Sequence, residues 1–183
     1  MNDMIPAWVN GKLIPVEKLT VHRQALRHPA VSVFVMAEDR VLLQRRAAGK
    51  YHSSGLWTNT CCTHPAWGES ARDCAVRRLR DELGVTGLDP IAVGRVEYRA
   101  DVGAGLTEHE VVDICLAEAP RGLPVEPNPT EVGDVRWVAL DRLAAEVRTR
   151  PSDHTPWLRI YLDGHFARLL KDRRPARRGD TGT

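Results

Sequence analysis

The sequence predicts an α+β fold, a mixed or antiparallel sheet with helices on its faces, from three observations. A hairpin signal opens the chain, since Asn10-Gly11 separates two short strand-like runs at 7–9 and 12–14. An apolar run at 30–36 begins a second pair of strands. Apolar residues recur at helical spacing in 70–84. Strands and helices that do not alternate regularly are typical of this class.

The remaining elements follow from turn and cap signals. A polar stretch at 16–27 precedes the strand at 30–36, and Glu38-Asp39 turns the chain into a partner strand at 41–44. A loop rich in Arg, Lys, Gly and Ser spans 45–55. Ser70 is the expected N-cap of a helix that ends before Gly84. Strands at 92–99, 108–116 and 135–138 follow, and helices at 140–149 and 155–170 come last.

Length and charge limit the classes of function. The 183 residues are most simply one domain, which we place at 1–170. The total net charge is +2, and a basic tail at 171–183 contributes +3 of it. The rest of the chain therefore has a net charge of −1. We expect the tail to be disordered. Nucleic-acid binding is the alternative, but no basic stripe elsewhere supports it.

Targeting and cysteine patterns favour a cytoplasmic protein. No apolar run is long enough to span a bilayer, and the N-terminus does not resemble a signal peptide. The four cysteines form no CxxC pair, which argues against a zinc ribbon or a disulfide framework. We therefore expect no membrane or nucleic-acid partner.

The segment at 57–70, W-T-N-T-C-C-T-H-P-A-W-G-E-S, has the highest density of reactive groups. Side chains alternate faces in an extended segment, so Cys62 and His64 should point the same way, into one cavity. Cys61 should point to the opposite face. We interpret Cys61, Cys74 and Cys115 as packing residues.

Glu108 and Glu110 have the spacing for one face of a strand that continues with Val112 and Ile114. If that face is buried, the two carboxylates need a cation or protons. If the strand end frays, both acids are solvated, and the spacing leaves both possibilities open. In the buried case, zinc, manganese or magnesium would suit a site completed by three imidazoles. The candidate imidazoles are those of His22, His28 and His64; His52, His154 and His165 have no partner pattern and are assigned no role.

A second acidic pattern lies in the helix at 70–84 and resembles the Nudix box, G-x5-E-x7-R-E-U-x-E-E-x-G-U, where U is aliphatic. The helix of that motif presents glutamates to a metal bound to a diphosphate. The matching positions are Glu69, Arg77, Asp81 and Glu82, with Thr63 in place of the first glycine. Arg78 stands where a glutamate is expected, which favours direct contact with phosphate oxygens. An ordinary helix with Asp73–Arg77 and Arg78–Glu82 ion pairs is the alternative that this segment leaves open.

Three motifs in order, N-T-C-C-T-H-P-x-W-G-E-S, R-R-L-R-D-E-L-G and E-Y-R-A…E-H-E, resemble the type 1 isopentenyl-diphosphate isomerases. These are Nudix-fold enzymes that interconvert isopentenyl and dimethylallyl diphosphate. The resemblance extends from the first hairpin to the T-P-W segment near residue 157, and it implies a Nudix-like α+β fold. Of the three motifs, the thiol motif and the E-x-E motif together are the specific ones, because a Nudix hydrolase needs neither of them.

The resemblance also implies a role for each matching position. Cys62 and Glu110 would be the catalytic acid and base, with Tyr98 hydrogen-bonded beside Glu110. The diphosphate would be held by Lys18, Arg46, Lys50 and Arg78, and Trp157 would face the hydrocarbon. One divalent ion (Mn2+, Zn2+ or Mg2+) would be bound by His22, His28, His64, Glu108 and Glu110. A Mg2+ ion that binds with the diphosphate would use Glu82.

Three functions are open at this level. The first is isomerisation of a small isoprenyl diphosphate by a monomer, with a dimer as the alternative. The second is hydrolysis of a diphosphate linkage, against which Arg78 and Cys62 argue. The third is metal-dependent binding without catalysis.

Overall fold

Two sheets organise residues 3–163, which are the residues that this computed structural model describes. The small sheet is the predicted hairpin, formed by β1 (Met4–Val9) and β2 (Lys12–Glu17). Its two turn residues, Asn10 and Gly11, have φ angles of 51° and 75°, as a two-residue turn of this kind requires. Both strands are longer than the sequence indicated.

A short helix, α1 (Lys18–Arg23), lies where the sequence indicated only a polar stretch. Its N-cap is Glu17, whose carboxylate accepts hydrogen bonds from the backbone N–H groups of Leu19 and Thr20 at 3.1 and 2.7 Å. Six residues are too few for a periodic signal, and the helix depends on this cap and on tertiary packing.

The main sheet has seven strands, β3 (His28–Ala37), β4 (Arg40–Arg46), β5 (Trp57–Thr58), β6 (Cys61–Thr63), β7 (Ile91–Gly103), β8 (Leu106–Glu118) and β9 (Val132–Ala139). The strand β3 is parallel to β8, and the other pairs are antiparallel, so the sheet is mixed as predicted. Between β3 and β4 the register covers only Met36↔Val41 and Ala37↔Arg40. Beyond that point β3 pairs with β6 and β4 pairs with β5, so the sheet forks, while β9 pairs with the other edge of β4 along its length.

Helices cover both faces of this sheet. The helix α2 (Ala71–Leu83) packs on one face, and α3 (Leu140–Thr149) and α4 (Pro156–Asp163) pack on the other. The alternation of β3 divides the core, since Val33 faces α2 and Phe34 faces α3 and α4. The predicted α+β class is therefore confirmed.

The predicted caps of α2 are confirmed. The Ser70 side chain accepts a hydrogen bond from the Asp73 N–H at 3.1 Å, and Gly84 follows the helix with a φ of 64°. Two details of the helix differ from what spacing alone indicates. Val76 has the spacing of the apolar stripe, yet it is 38 % exposed. Arg77 pairs with Glu69 at 2.6 Å, and the predicted Asp73–Arg77 pair does not form.

Other differences concern boundaries. The strands β7 and β8 are each 13 residues long and meet in a tight turn at 104–105, where the sequence indicated a longer loop. The short strands β5 and β6 had no periodic signal. The predicted continuation of the last helix to Leu170, the tail from Lys171 and His165 lie outside the described residues. No helix within residues 3–163 has both the length and the apolar character needed to cross a membrane.

Candidate active site

The fork in the sheet opens a cavity with about 500 Å³ of empty space, which includes the open solvent at its mouth. Its walls come from distant parts of the chain, from Lys18 on α1 to Trp157 on α4. The cavity therefore touches helices on both faces of the sheet. Most of the residues singled out in the sequence line it: Lys18, Arg46, Lys50, Cys62, His64, Arg78, Glu82, Glu108, Glu110 and Trp157. His22, His28 and Tyr98 are buried behind its wall.

The cations of the cavity are held mainly by carboxylates. Lys50 Nζ lies 2.6 Å from Glu131 Oε2, and Arg78 Nη2 lies 2.6 Å from Glu82 Oε1. Glu131 also approaches Arg78, at 3.4 Å. An anionic ligand that enters the cavity would compete with these carboxylates for the same cations.

Arg46 and Lys18 complete the cationic set. The Arg46 guanidinium donates to the backbone carbonyl of His52 at 3.1 Å and pairs with no carboxylate within residues 3–163. Lys18 Nζ lies 3.3 Å from Asp3 at the surface. Four cations at one cavity suit a ligand with several negative charges.

Glu82 is buried in the wall of the cavity. Arg78 donates to its Oε1, and Gln44 Nε2 donates to its Oε2 at 2.9 Å. Burial lowers the pKa of Arg78, but the charge of Glu82 outweighs this effect and raises it above the ordinary value. The predicted Arg78–Glu82 pair is therefore present, and it faces a cavity and not open solvent. A buried carboxylate beside several cations at one cavity could take part in binding a divalent ion.

Four candidate metal ligands converge although they come from four separate segments. One donor atom each from His22, His28, His64 and Glu110 lies within 4.8 Å of the others. Nδ1 of His22 and Nδ1 of His28 each donate to a backbone carbonyl, of Lys18 and Leu26, at 2.7 Å. Because a carbonyl only accepts, each Nδ1 has the proton and each Nε2 has a free lone pair.

Both of these Nε2 atoms are buried, and among the described residues neither has a hydrogen-bond partner. A buried imidazole nitrogen without a partner is costly, and a metal ion would remove that cost. The donor set of imidazoles and carboxylates, with the orienting Nδ1–H bonds in place, therefore fits a divalent transition metal.

Tyr98 links the two strand acids. Glu108 and Glu110 are 3 % and 1 % exposed, which excludes the frayed, solvated alternative. The Tyr98 hydroxyl lies 2.7 Å from Glu108 Oε2 and 2.6 Å from Glu110 Oε2. A phenol has one proton to donate, so a second proton must lie between these three oxygens.

Electrostatics assigns that second proton to Glu108. Burial and the charge of Glu110 raise the pKa of Glu108 well above its ordinary value. Burial also acts to raise the pKa of Glu110, but its contacts with His28 and His64 outweigh this effect and lower it. Of the two acids, Glu108 thus favours the protonated form and Glu110 favours the carboxylate.

Cys62 lies on the side of the sheet that α4 covers, whereas Cys61 is buried against α2. The Ser32 hydroxyl donates to Cys62 Sγ at 3.2 Å from the paired position on β3. Burial, followed by the charge of Glu110, raises the pKa of the Cys62 thiol well above its ordinary value. A neutral thiol and a carboxylate therefore line the same cavity.

Trp157 is held by a single polar contact and by packing. Its Nε1 donates to Thr58 Oγ1 on β5 at 2.7 Å, and its ring is buried. The Arg46 guanidinium lies 5.3 Å from the ring centre. The indole thus lies beside the cationic set of the cavity.

Two of the cavity residues that the sequence interpretation missed are His52 and Glu131. His52, on the loop after β4, has Nε2 3.6 Å from Glu108 Oε1. Burial and then Arg46 lower the pKa of His52 to about 2, so its ring is neutral. Glu131 precedes β9 and pairs with Lys50. Both lie in irregular segments, where no periodic pattern indicates the direction of a side chain.

A comparison with protein families and curated proteins gives consistent results. A family model described as NUDIX domain matches residues 26–158. A protein named isopentenyl-diphosphate Delta-isomerase from Cereibacter sphaeroides is 66 % identical over 170 residues, which are 93 % of this chain and 96 % of that protein. A protein of the same name from Dinoroseobacter shibae is 62 % identical over 170 residues, or 93 % of this chain and 97 % of that protein.

Solved structures share the fold at low sequence identity. The Nudix hydrolase RenU from M. smegmatis has a TM-score of 0.62 and 19 % identity, and the match covers 97 % of this chain and 100 % of that one. The MutT protein from Methanosarcina mazei has a TM-score of 0.60 and 18 % identity over 79 % and 96 % of the two chains. At such identities these likenesses show the fold alone.

Proposed function

This chain belongs to the isopentenyl-diphosphate Delta-isomerases of the NUDIX family, and on that premise we propose that it interconverts isopentenyl and dimethylallyl diphosphate with Cys62 and Glu110 as its proton-exchanging groups. The main support is a neutral thiol and a buried carboxylate that line one cavity together with four cationic side chains. Moving a double bond by one carbon needs two proton transfers and no other reagent. A thiol and a carboxylate can supply both transfers.

The proton balance of the reaction is simple. The π electrons of the alkene take a proton, which forms a tertiary carbocation, and loss of a proton from the neighbouring carbon restores a double bond. One of the pair Cys62 and Glu110 donates, and the other accepts. Tyr98 supports Glu110 by donating a hydrogen bond to its carboxylate at 2.6 Å.

The carbocation needs stabilisation by a group that does not attack it. The indole of Trp157 fits this need, because the face of an aromatic ring attracts a cation and forms no bond with it. A desolvated contact of this kind contributes about 2 kcal/mol. Trp157 is buried in the wall of the cavity, which supports this role.

The diphosphate would be held by Lys18, Arg46, Lys50 and Arg78. Lys50 and Arg78 are paired with Glu131 and Glu82, so an anion would replace or share those contacts. Glu82 is the carboxylate that would hold a Mg2+ ion bound with the diphosphate. That ion would neutralise part of the negative charge of the diphosphate. Arg78 takes the place of a hydrolase glutamate, so the diphosphate is anchored and not activated for cleavage.

The buried imidazoles and strand acids would hold a second divalent ion, Mn2+, Zn2+ or Mg2+, through His22, His28, His64, Glu108 and Glu110. Such an ion supplies positive charge that orders the two acids. Residues of this one chain line the cavity, in keeping with the monomer that we propose. Four free cysteines support a reducing, cytoplasmic location.

A single incubation tests the proposed function. Purified protein is mixed with isopentenyl diphosphate and Mg2+ in deuterated water, and the products are analysed by NMR and for released phosphate. We expect dimethylallyl diphosphate with deuterium in a methyl group and no free phosphate or pyrophosphate. Release of either would indicate a hydrolase, and tight binding without exchange would indicate a binding protein.

The matched control is Glu110→Gln, which keeps the size of the side chain and removes its charge. We expect no deuterium in the product with this variant. Normal exchange by Glu110→Gln would contradict the role of Glu110 without contradicting the reaction.

A further inference from the structure

A second group of donor atoms lies beside the predicted metal ligands. One donor atom each from His22, His52 and Glu108 lies within 4.8 Å of the others. With metal–ligand bonds of about 2.1 Å, two donors on opposite sides of one ion are about 4.2 Å apart. Shifts of a few tenths of an ångström would bring these three donors onto an ion.

His22 belongs to both groups of donors, the one with His28, His64 and Glu110 and the one with His52 and Glu108. Its Nδ1 is occupied by the carbonyl of Lys18, so only Nε2 can bind a metal. One imidazole nitrogen has one lone pair and binds one ion. The two groups therefore cannot bind two separate ions through His22, and a single ion that takes donors from both groups avoids this conflict.

The position of His52 is well defined. Its ring is buried, its carbonyl accepts a hydrogen bond from Arg46, and its Nδ1 lies 3.3 Å from Ser53 Oγ. With Nδ1 as the donor in that contact, Nε2 has a lone pair directed at the cluster. At 3.6 Å, Nε2 is too far from Glu108 for a hydrogen bond that would otherwise explain its position.

We propose that His52 is a sixth protein ligand of the divalent ion, which is then bound by four imidazoles and two carboxylates. This inference rests on the metal site in the proposed function. Six protein donors fill an octahedral shell and leave no position for water or substrate. The ion would then act by its charge and by ordering the acids, and not by activating a bound molecule.

The test counts imidazole nitrogens on the metal directly. The full chain is freed of metal, loaded with half an equivalent of Mn2+ without diphosphate, and studied by pulsed EPR of the nitrogen couplings. We expect four coordinated imidazole nitrogens in the unmodified protein and three in His52→Gln. We also expect the Kd for Mn2+ to rise at least tenfold in this variant, because even the loss of a residue that only supports a metal ligand weakens metal binding by about that factor.

His154→Gln is the matched control, because His154 is also buried and its Nε2 also has no partner among the described residues. It does not belong to either donor group. We expect four nitrogens and an unchanged Kd in this variant.

Three results would overturn the inference. Three nitrogens in the unmodified protein would exclude His52 as a ligand, and this measurement does not depend on whether a variant folds. A raised Kd with an unchanged nitrogen count would make His52 a positioning residue for Glu108. Failure of the unmodified protein to bind Mn2+ would remove the whole ligand set, and the isomerisation assay on the same sample would show whether the proposed reaction survives.

Discussion

Cys61 and Cys62 are chemically identical neighbours on β6, and their surroundings make them different. Cys61 packs against α2, with no exposed surface, whereas Cys62 packs on the opposite face of the sheet and lines the cavity. The same alternation turns His109 away from Glu108 and Glu110 and toward Glu97 at the surface, at 3.3 Å. A shift of one residue in the register of either strand would therefore remove the site.

The first prediction concerns the thiol of Cys62. We expect Cys62→Ala to lower kcat by a factor of roughly 10²–10⁴, the usual contribution of a positioned acid or base. The fold should survive, because the side chain is small and partly exposed. Steady-state kinetics together with circular dichroism measures both quantities.

Cys115→Ala is the control for this prediction. Cys115 is fully buried on the α2 face of β8. Its substitution by Ala also removes a thiol, but from the core, and leaves the cavity intact. We expect some loss of stability and a kcat close to that of the unmodified protein. Equal effects of the two substitutions on kcat would refute a chemical role for Cys62.

At the scale of elements, α2 is tied to the loop that precedes it. Arg77 donates two hydrogen bonds to Glu69, at 2.6 and 2.7 Å, and Glu69 also accepts from the Ala66 N–H at 2.7 Å. This loop connects His64, one of the candidate metal ligands, to a helix that presents Arg78 and Glu82 to the cavity. The Glu69–Arg77 contact thus fixes the distance between the two charged parts of the site.

The second prediction is a dependence of stability on pH that arises at Glu69. Hydrogen bonds from Arg77 lower the pKa of Glu69 to about 2, despite the opposing effect of burial. Because the folded pKa lies below the unfolded value of about 4.3, the stabilisation is complete above that value and is lost as the pH falls toward 2. We expect Glu69→Gln to cost about 1 kcal/mol at pH 7 and to have a smaller drop in stability between pH 5 and pH 2.

Urea unfolding at several pH values measures this effect. Asp73→Asn is the control, since Asp73 is an exposed acid of the same helix that makes no contact with Arg77. We expect the acid limb of this variant to follow that of the unmodified protein. An unchanged acid limb in Glu69→Gln would contradict the prediction.

At the scale of the whole molecule, the cavity depends on contacts between the beginning and the end of the described chain. Lys18 lies on α1, and Trp157 lies 139 positions later on α4. The bond from Trp157 Nε1 to Thr58 Oγ1 joins α4 to β5, next to the fork in the sheet. The two ends of the chain therefore form one wall only in the folded protein.

The third prediction concerns Trp157 and the stabilisation of positive charge. We expect Trp157→Leu to lower kcat about 30-fold, which corresponds to the roughly 2 kcal/mol of a desolvated cation–π contact. The KM for the diphosphate should change less, because we propose that the cations bind the anionic group. Trp157→Phe retains an aromatic face and loses the bond to Thr58, so its kcat should fall less. Equal kcat values for the Leu and Phe variants would exclude an aromatic contribution.

Sequence alone determined the parts of this protein that depend on near neighbours. The caps at Ser70 and Gly84, the common face of Glu108 and Glu110 and the opposite faces of Cys61 and Cys62 all follow from spacing within a single element. The motifs, and the resemblance they support, also depend on short spans of sequence. These features were predictable because periods of 2 and 3.6 residues and cap preferences are local.

Only the tertiary structure decided the rest. It buried Glu108 and Glu110, opened the fork between β3 and β4, and brought His52 and Glu131 from irregular loops into the cavity. It also paired Arg77 with Glu69 where helical spacing had suggested Asp73. Contacts of this kind join residues that are far apart in sequence or that lie outside regular elements, and the local pattern of a loop contains no information about the direction of its side chains.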